Sequence, residues 1–592
     1  MKKIFFYCWW FFSCSSLAFN APEYLERFNT YLNFNQHLPV KATPEFIAFI
    51  EQDQPLSRKL RERWLYELAR LQDWQTYRQY YHASKDINLV CYYQIAQYRT
   101  GHNQDAFTAT LPLWLTGDSQ PPACDQLFNL FIQDPQFNTE LLTQRFALAL
   151  ERRNLPLARY LLKHDPQAKI LTSMFELIIR NPALIAQLKP SNINREFYLY
   201  GLKRLISLNK TEKALALWKQ AQSTHFLSEA QQQNFLAYLA LYKAMRNSED
   251  APEWFAQIKP EYQTELVTDW QIRFALKHGN WAQVHTLIIQ KNDRDSPCWQ
   301  YWLARSLAAE GNQDEAQALY KNLAQTRNYY GFLASLRLKQ TPNFVNEPVT
   351  TDLQRLIPFK ELLSQIQKLY QSRSLGTASR LLNDFISELP KEESSALIYW
   401  IDQVLGWHGK SIYLSNTELF NNQLALRFPL AYSQVVKSNA QKYGINPELI
   451  LAIIRQESSF REDATSSAGA RGLMQVMPYT AGVVSKAYKI PYTSPEQLFT
   501  SDKNINIGVA YLKQLAQRFK NHPILIAAAY NAGPKQVVYW LQHHTPKDMD
   551  VWIETLPWQE TRNYLKNIFA FYIVYQYRLD KKPSADHFLH AV

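Results

Sequence analysis

A chain of 592 residues is too long for a single compact core, so several domains are expected. Hydrophobic residues make up 46%, charged residues 20%, and only 15 glycines are present, which argues against a turn-rich sheet protein and predicts an all-α chain of packed helices. The formal charge of +12 favours anionic partners, and no basic run interleaved with aromatics marks a nucleic-acid groove.

The chain opens with Met1-Lys2-Lys3, an apolar stretch from Ile4 to Leu17, and small residues up to Ala18. This is the pattern of a cleavable export signal over residues 1–18. The run is shorter than the roughly 20 apolar residues that span a bilayer, so no stable membrane span is expected. Cys14 leaves a lipid anchor as the alternative, which the bulky Phe11 and Phe12 fit poorly. Cleavage after Ala18 removes Lys2 and Lys3 and no acid, lowering the charge by two to +10. For an exported basic chain the anionic partners are cell-wall polymers or membrane surfaces.

Three cysteines then remain: Cys91, Cys124 and Cys298. An oxidising compartment permits one disulfide. Cys91 and Cys124 are near in sequence and both in helical neighbourhoods, so the Cys91–Cys124 bridge is expected, with Cys298 free and buried. No residues show metal-site spacing, and His543-His544 reads as a solvated loop pair.

From about residue 22 to 340 helical stretches alternate with short breaks at Asn, Asp or Gly. The joints are Leu71-Gln72-Asp73-Trp74, Arg153-Asn154-Leu155, Leu208-Asn209-Lys210, His278-Gly279-Asn280-Trp281 and Glu310-Gly311-Asn312. Helix hairpins stacked in series are predicted, and the stretch with Leu303, Leu307, Gly311, Ala316 and Tyr320 approaches a tetratricopeptide pattern. Most aromatics here are expected to pack between repeats. Between Gln340 and Asp352 two prolines, Pro342 and Pro348, break the pattern and suggest a linker. A smaller helical unit follows to about Leu426, and Arg427-Phe428-Pro429 opens the last segment.

Six of the 15 glycines fall in the final 166 residues, where loops are expected to position chemistry. Asn446-Pro447 reads as a helix start, with Asn446 capping free amides. The apolar run Leu449 to Ile454 predicts a buried helix, which delivers Glu457 at its C-terminal end. Apolar surroundings and the negative helix terminus both disfavour the charged carboxylate, so Glu457 is expected to hold a proton near neutral pH and serve as a general acid. The bland alternative is a glutamate that reaches solvent or pairs with Arg455.

Glu457-Ser458 is followed by Gly472-Leu473-Met474-Gln475, Ala529-Tyr530-Asn531 and Glu560-Thr561-Arg562-Asn563-Tyr564. In this order and spacing the series resembles the soluble lytic transglycosylases with a goose-type lysozyme-like domain. The close resemblance covers roughly residues 428–580. It implies an N-terminal α-superhelical ring domain of helix hairpins over 19–345, a small helical linker domain over 346–426 and a lysozyme-like catalytic domain over 427–592.

Carried over by motif, the resemblance implies Glu457 as sole catalytic acid/base with Ser458 in its supporting shell. Gln475 and Met477 would line the sugar cleft, and Ser466 would approach the sugar. Tyr530 would stand near the carboxyl, Asn531 would hold its loop through backbone hydrogen bonds, and Glu560 and Tyr564 would close the far side. Leu473 and Met474 read as core, and Arg562 as a structural ion-pair partner.

The implied reaction cleaves the β-1,4 bond between N-acetylmuramic acid and N-acetylglucosamine from chain ends, forming 1,6-anhydromuramic products, with no cofactor and no metal. The expected setting is the periplasm, and the expected partners are peptidoglycan glycan strands met by a monomer. Proteins of cell-wall synthesis are further partners that the sequence leaves open. Two other readings stand beside this one. Glu462, Asp463, Asp502 or Glu560 could serve as a second carboxylate in a water-consuming muramidase, and the repeats could make the chain a wall-binding scaffold.

Overall fold

The structure is a computed structural model and describes residues 21–52, 54–164, 171–544 and 547–584. The expected signal, with Cys8 and Cys14, lies outside the described residues. Among the described residues there are helices and no strand, only the isolated bridges Thr465 to Arg471 and Arg471 to Val476. No helix among them is long and apolar enough to cross a membrane.

The chain parts into two compact units. One joins Asn346–Pro429 to the described residues up to Trp64. Its core sets Phe46 edge-on to Trp64 at 5.3 Å, while Tyr24 donates to the carbonyl of Leu381 at 3.2 Å. The helices Leu375–Ser387 and Lys391–Gln403 add further buried side chains, among them Leu382, Phe385, Leu397 and Ile401.

The second unit, Leu65–Val345 with Leu430–Val592, contains the hairpin repeats and the last segment. Each of the five sequence joints holds one residue in the left-handed region: Gln72, Arg153, Asn209, Gly279 and Gly311, with φ from 56° to 94°. Such a residue ends one helix, and the next starts at once. Asp73, Asn154 and Asn280 then cap the following helix by accepting from Thr76, Leu157 and Gln283 amides. The apolar faces of successive helices share one core from Cys91 to Phe274. Each fully buried Leu or Phe there contributes roughly 1.5–3 kcal/mol. Within it Cys91 and Cys124 are joined in a disulfide. No helix spans residues 340–352, yet Phe344 in this stretch is anchored, its ring parallel to that of Tyr577 at 4.5 Å.

The last segment is built on the helix Pro447–Glu457, buried from Glu448 to Ile454 and packed against the 20-residue helix Gln559–Arg578. A short helix, Met549–Thr555, brings two fully buried carboxylates against the repeats. Glu554 meets Lys566 at 2.8 Å, Arg273 at 3.2 Å and the hydroxyl of Tyr330 at 2.8 Å. Asp550 meets Arg305, Arg337 at 2.9 Å and Tyr301 at 2.6 Å. Cys298 is free and only half-buried as a residue, but its thiol faces Glu554 at 3.8 Å, and burial pushes it up to about 12.

Candidate active site

The helix Pro447–Glu457 carries a carboxylate near each end. Glu448 is buried and neutralised by Lys581 at 2.9 Å, with Tyr572 alongside at 3.4 Å. Sequence reasoning counted only Glu457 on this helix and missed Glu448. Glu457 has different company. The hydroxyl of Tyr564 donates to its Oε1 at 2.8 Å, and the charge that acts on it is the like charge of Glu560. Burial raises its proton affinity, Tyr564 lowers it in part, Glu560 adds to the rise, and the carboxyl stands at about 7. Arg455 lies instead over Phe571 and donates to the hydroxyl of Ser459 at 2.9 Å.

Asn446 stands at the N-cap position before Pro447, but its side chain makes no cap bond; its amide reaches Tyr572 at 3.4 Å. The expected capping role is therefore filled by geometry and Pro447 alone. Beyond the other end, Ser459 and Phe460 both have positive φ, at 50° and 64°. Two successive non-glycine residues in the left-handed region mark backbone strain held by its surroundings, directly after the acid. Ser458, which precedes them, donates to the carbonyl of Leu473 at 2.7 Å and so ties the helix end to the glycine-containing loop.

That loop turns on Gly472 at φ 72°, where a Cβ would sit 2.0 Å from the carbonyl of Leu498. Asn504 holds it in place. Fully buried, it donates to the carbonyls of Arg471 (2.9 Å) and Leu498 (2.7 Å) and accepts from the amide of Met474 (2.8 Å). Sequence reasoning missed this residue. The available signal was its register: Asn504 shares the core face of the helix Ser501–Arg518 with Gly508 and Leu512, where an amide needs a reason. Gly508 in turn gives room to Met474, whose sulfur a Cβ would meet at 2.4 Å. Met474 and Leu473 are buried core residues.

The other residues singled out by the sequence fall as follows. Gln475 directs both amide hydrogens to the loop, at Ala464 (3.1 Å) and Gly472 (2.9 Å), leaving only its carbonyl oxygen for a ligand. Met477 is exposed. The hydroxyl of Ser466 accepts from the amide of Ala470 at 3.0 Å within a turn closed by Gly469. Tyr530 feels the charge of Glu457, yet its hydroxyl donates to the carbonyl of Met474 at 2.7 Å. Asn531 accepts through its side chain from the hydroxyl of Thr561 at 2.8 Å, a side-chain bond where backbone bonds were expected. Glu560 is exposed.

Arg562 is structural but not an ion-pair partner. It donates to the carbonyls of Leu556 (2.5 Å) and Pro557 (3.2 Å) and lies over Trp270. The pair His543-His544 is solvated only in part: His543 is exposed at the end of the helix Pro534–His543, its Nδ1 2.8 Å from the carbonyl of Tyr539, whereas His544 Nε2 is buried. Asp463 pairs with Arg461 at 3.4 Å. Among the described residues no group of three or more His, Cys, Asp or Glu could hold a metal ion.

A single carboxyl that is protonated near neutrality, delivered by a buried helix and steadied by a phenol, is the equipment of an acid that cleaves glycosidic bonds. The comparisons agree with that class. Residues 434–553 match the family model described as the transglycosylase SLT domain. The crystal structure of the lytic transglycosylase Slt of Pseudomonas aeruginosa, solved as an inactive Glu-to-Gln mutant, is 31% identical, with 95% of this chain and 93% of that one covered at a TM-score of 0.81. The 70 kDa soluble lytic transglycosylase of Escherichia coli is 27% identical, with 95% and 94% covered at a TM-score of 0.76. The soluble lytic murein transglycosylase of Escherichia coli K12 is 28% identical over 544 residues, 90% of this chain and 84% of that protein. The chain belongs to the family of soluble lytic transglycosylases, and its fold is theirs: all-α, with superhelical helix hairpins and a lysozyme-like catalytic domain.

Proposed function

We propose that this lytic transglycosylase cleaves the β-1,4 bond between N-acetylmuramic acid and N-acetylglucosamine in peptidoglycan and closes a 1,6-anhydro ring on the muramic sugar. The observation that carries the reading is Glu457 itself, at about 7 and with a phenol on Oε1. Tyr564 donates to Oε1, so Oε2 is the oxygen left to bear the proton. That proton passes to the glycosidic oxygen as positive charge grows at the anomeric carbon, which the substrate's acetamido group can stabilise. Glu457, now ionised, takes the proton of the C6 hydroxyl of the same sugar as that oxygen attacks. An internal nucleophile has an effective concentration on the order of 10⁵ M or more when well oriented, which is why one carboxylate suffices. Among the described residues the carboxylate whose charge acts on Glu457 is that of Glu560, which is exposed, and Asp463 pairs with Arg461, which supports this route over a hydrolytic one.

The same reading makes Ser458, Ser466, Gln475, Met477, Tyr530, Asn531 and Glu560 the support and lining of the cleft. It places the mature chain, with residues 1–18 removed, in the periplasm as a monomer working from strand ends, with domains over 19–345, 346–426 and 427–592. The test is the mass of the products from purified peptidoglycan. Anhydromuropeptides, one water lighter than hydrolysis products, are expected; reducing-end products would assign a muramidase instead, and no product a scaffold.

A further inference from the structure

A cavity of about 360 Å³ opens in the early hairpin repeats, and every residue of its wall falls between Gln72 and Gln133, so no residue of the last segment takes part in it. Two helices form its sides. Ile87–Arg99 supplies Ile95 and Arg99, and Ala123–Gln133 supplies Gln126, Asn129, Leu130 and Gln133. Gln72 and Trp74, from the joint ahead of them, complete the wall. The disulfide Cys91–Cys124 ties those same two helices together, with Cα atoms 5.1 Å apart and Ile95 about one turn beyond Cys91, so the spacing of the two sides is fixed covalently.

The lining differs from that of an ordinary solvated helix. Where a face turned to water carries charges, the face that Ala123–Gln133 turns to the cavity carries three neutral amides, Gln126, Asn129 and Gln133. Among the described residues no carboxylate lines the cavity, and neither these amides, nor Gln72, nor Arg99 has a side-chain partner. Trp74 is half-buried against Tyr77 and Tyr92 and keeps part of its ring open.

A side-chain amide offers both donors and an acceptor, the complement of an acetamido group, which presents one of each. An open indole face beside such amides suits the apolar face of a sugar ring, and Ile95 and Leu130 give an apolar floor for an acetamido methyl. From Gln126 to Gln133 the row rises about 10 Å, the length of roughly two linked sugar rings. An extended peptide also uses amides, but it gains most along the open edge of a sheet, and the described residues hold no strand. We propose that this cavity is a holding site for N-acetylated glycan, separate from the cleft that cuts. In it Trp74 stacks on a sugar ring, Gln126, Asn129 and Gln133 pair with acetamido and hydroxyl groups, and Arg99 takes a carboxylate on the strand. The assignment rests on the murein reading given above and adds to it a second grip on the polymer.

The test uses the full chain with Glu457→Gln, so that nothing is cut, and photolyses on it an N-acetylglucosamine tetramer bearing a diazirine, with the labelled peptides mapped by mass spectrometry. Label is expected in Ala123–Gln133 or beside Trp74, suppressed by excess plain tetramer and not by cellotetraose, which has the hydroxyls without the acetamido groups. Asn129→Ala combined with Gln133→Ala, both at exposed positions, should lower that label at least about fivefold, as the loss of two neutral hydrogen bonds gives. Trp74→Ala should lower it about tenfold, and both variants should co-sediment less with purified sacculi. Label confined to the last segment, equal suppression by cellotetraose, or label unchanged in the double variant overturns the proposal. Suppression by a stem tetrapeptide and not by the sugar makes the occupant a peptide and overturns it as well. If the site takes no label while the native chain still releases anhydromuropeptides from sacculi, the cavity assignment alone is wrong. If no anhydromuropeptides form yet the label at Ala123–Gln133 persists, the chemistry at Glu457 is wrong and the site remains.

Discussion

Tyr564 and Glu457 lie 107 residues apart in sequence and are joined by a 2.8 Å hydrogen bond from the phenol to Oε1. Because the phenol favours the ionised carboxylate, it moderates a proton affinity that burial sets too high. Tyr564→Phe should therefore shift the alkaline limb of the kcat/KM profile to higher pH and lower the maximal rate by about tenfold. An unmoved limb would show that the phenol does not tune the acid.

In the native enzyme the first step needs protonated Glu457, so kcat/KM should fall as pH rises through about 7. Glu457→Gln should lose at least about 10³-fold in rate at every pH, since an amide neither gives nor takes this proton. Retention of a tenth of the activity would remove Glu457 from its role.

The same substitution should stabilise the fold at high pH. The folded carboxyl titrates near 7, above its unfolded value of about 4.3, so native stability is full below the unfolded value and declines as pH rises to 7. Glu457→Gln lacks that decline and should gain about 1–3 kcal/mol over the native chain at pH 8, with the difference shrinking at pH 5. Denaturant unfolding at the two pH values measures it.

Tyr530→Phe should slow turnover less than Tyr564→Phe. Its hydroxyl is directed to the carbonyl of Met474 and supports the loop, not the carboxyl itself. Asn504→Ala should cost about 2–4 kcal/mol, because three buried backbone groups lose their partner together, and should lower turnover through the loosened Gly472 loop. A melting temperature within a degree of native would remove Asn504 from that supporting role.

Much of this was legible locally. The five joints announced themselves because a left-handed helix end followed by an Asp or Asn cap is written in adjacent residues, as in Gln72-Asp73 and Arg153-Asn154. The buried helix bearing Glu457 was equally plain from Leu449 to Ile454. What stayed hidden depends on partners far along the chain: Lys581 for Glu448, Arg273 for Glu554, and the carbonyls of Leu556 and Pro557 for Arg562, which looked like an ion-pair residue. Charge at such positions carries no local mark of whom it meets. Asn446 misled for a related reason, since a good capping residue had a hydroxyl of Tyr572 within reach.

Acid should test the contact between repeats and catalytic domain. Burial alone would raise Glu554, but Lys566 and Arg273 outweigh it and hold the carboxyl down at about 2. Its stabilising contribution is complete above the unfolded value of about 4.3 and is lost as pH falls toward 2. Glu554→Gln should cost about 3–5 kcal/mol at pH 7 by leaving two cations uncompensated, and should flatten the acid limb of the stability curve. A native-like acid limb in the variant would place the acid-sensitive group elsewhere.

The helix Met549–Thr555 has a corollary for anyone cutting the gene. Its two anions, Asp550 and Glu554, find most of their counter-charges on Arg273, Arg305 and Arg337. A fragment that begins at residue 427 would keep the acid and its phenol but leave Asp550 without either of its arginines and Glu554 with Lys566 as its one remaining cation, on a newly wetted face. Excision at that boundary therefore removes three arginines that the last segment's own helix uses, and a minimal enzyme is expected to need that face redesigned first.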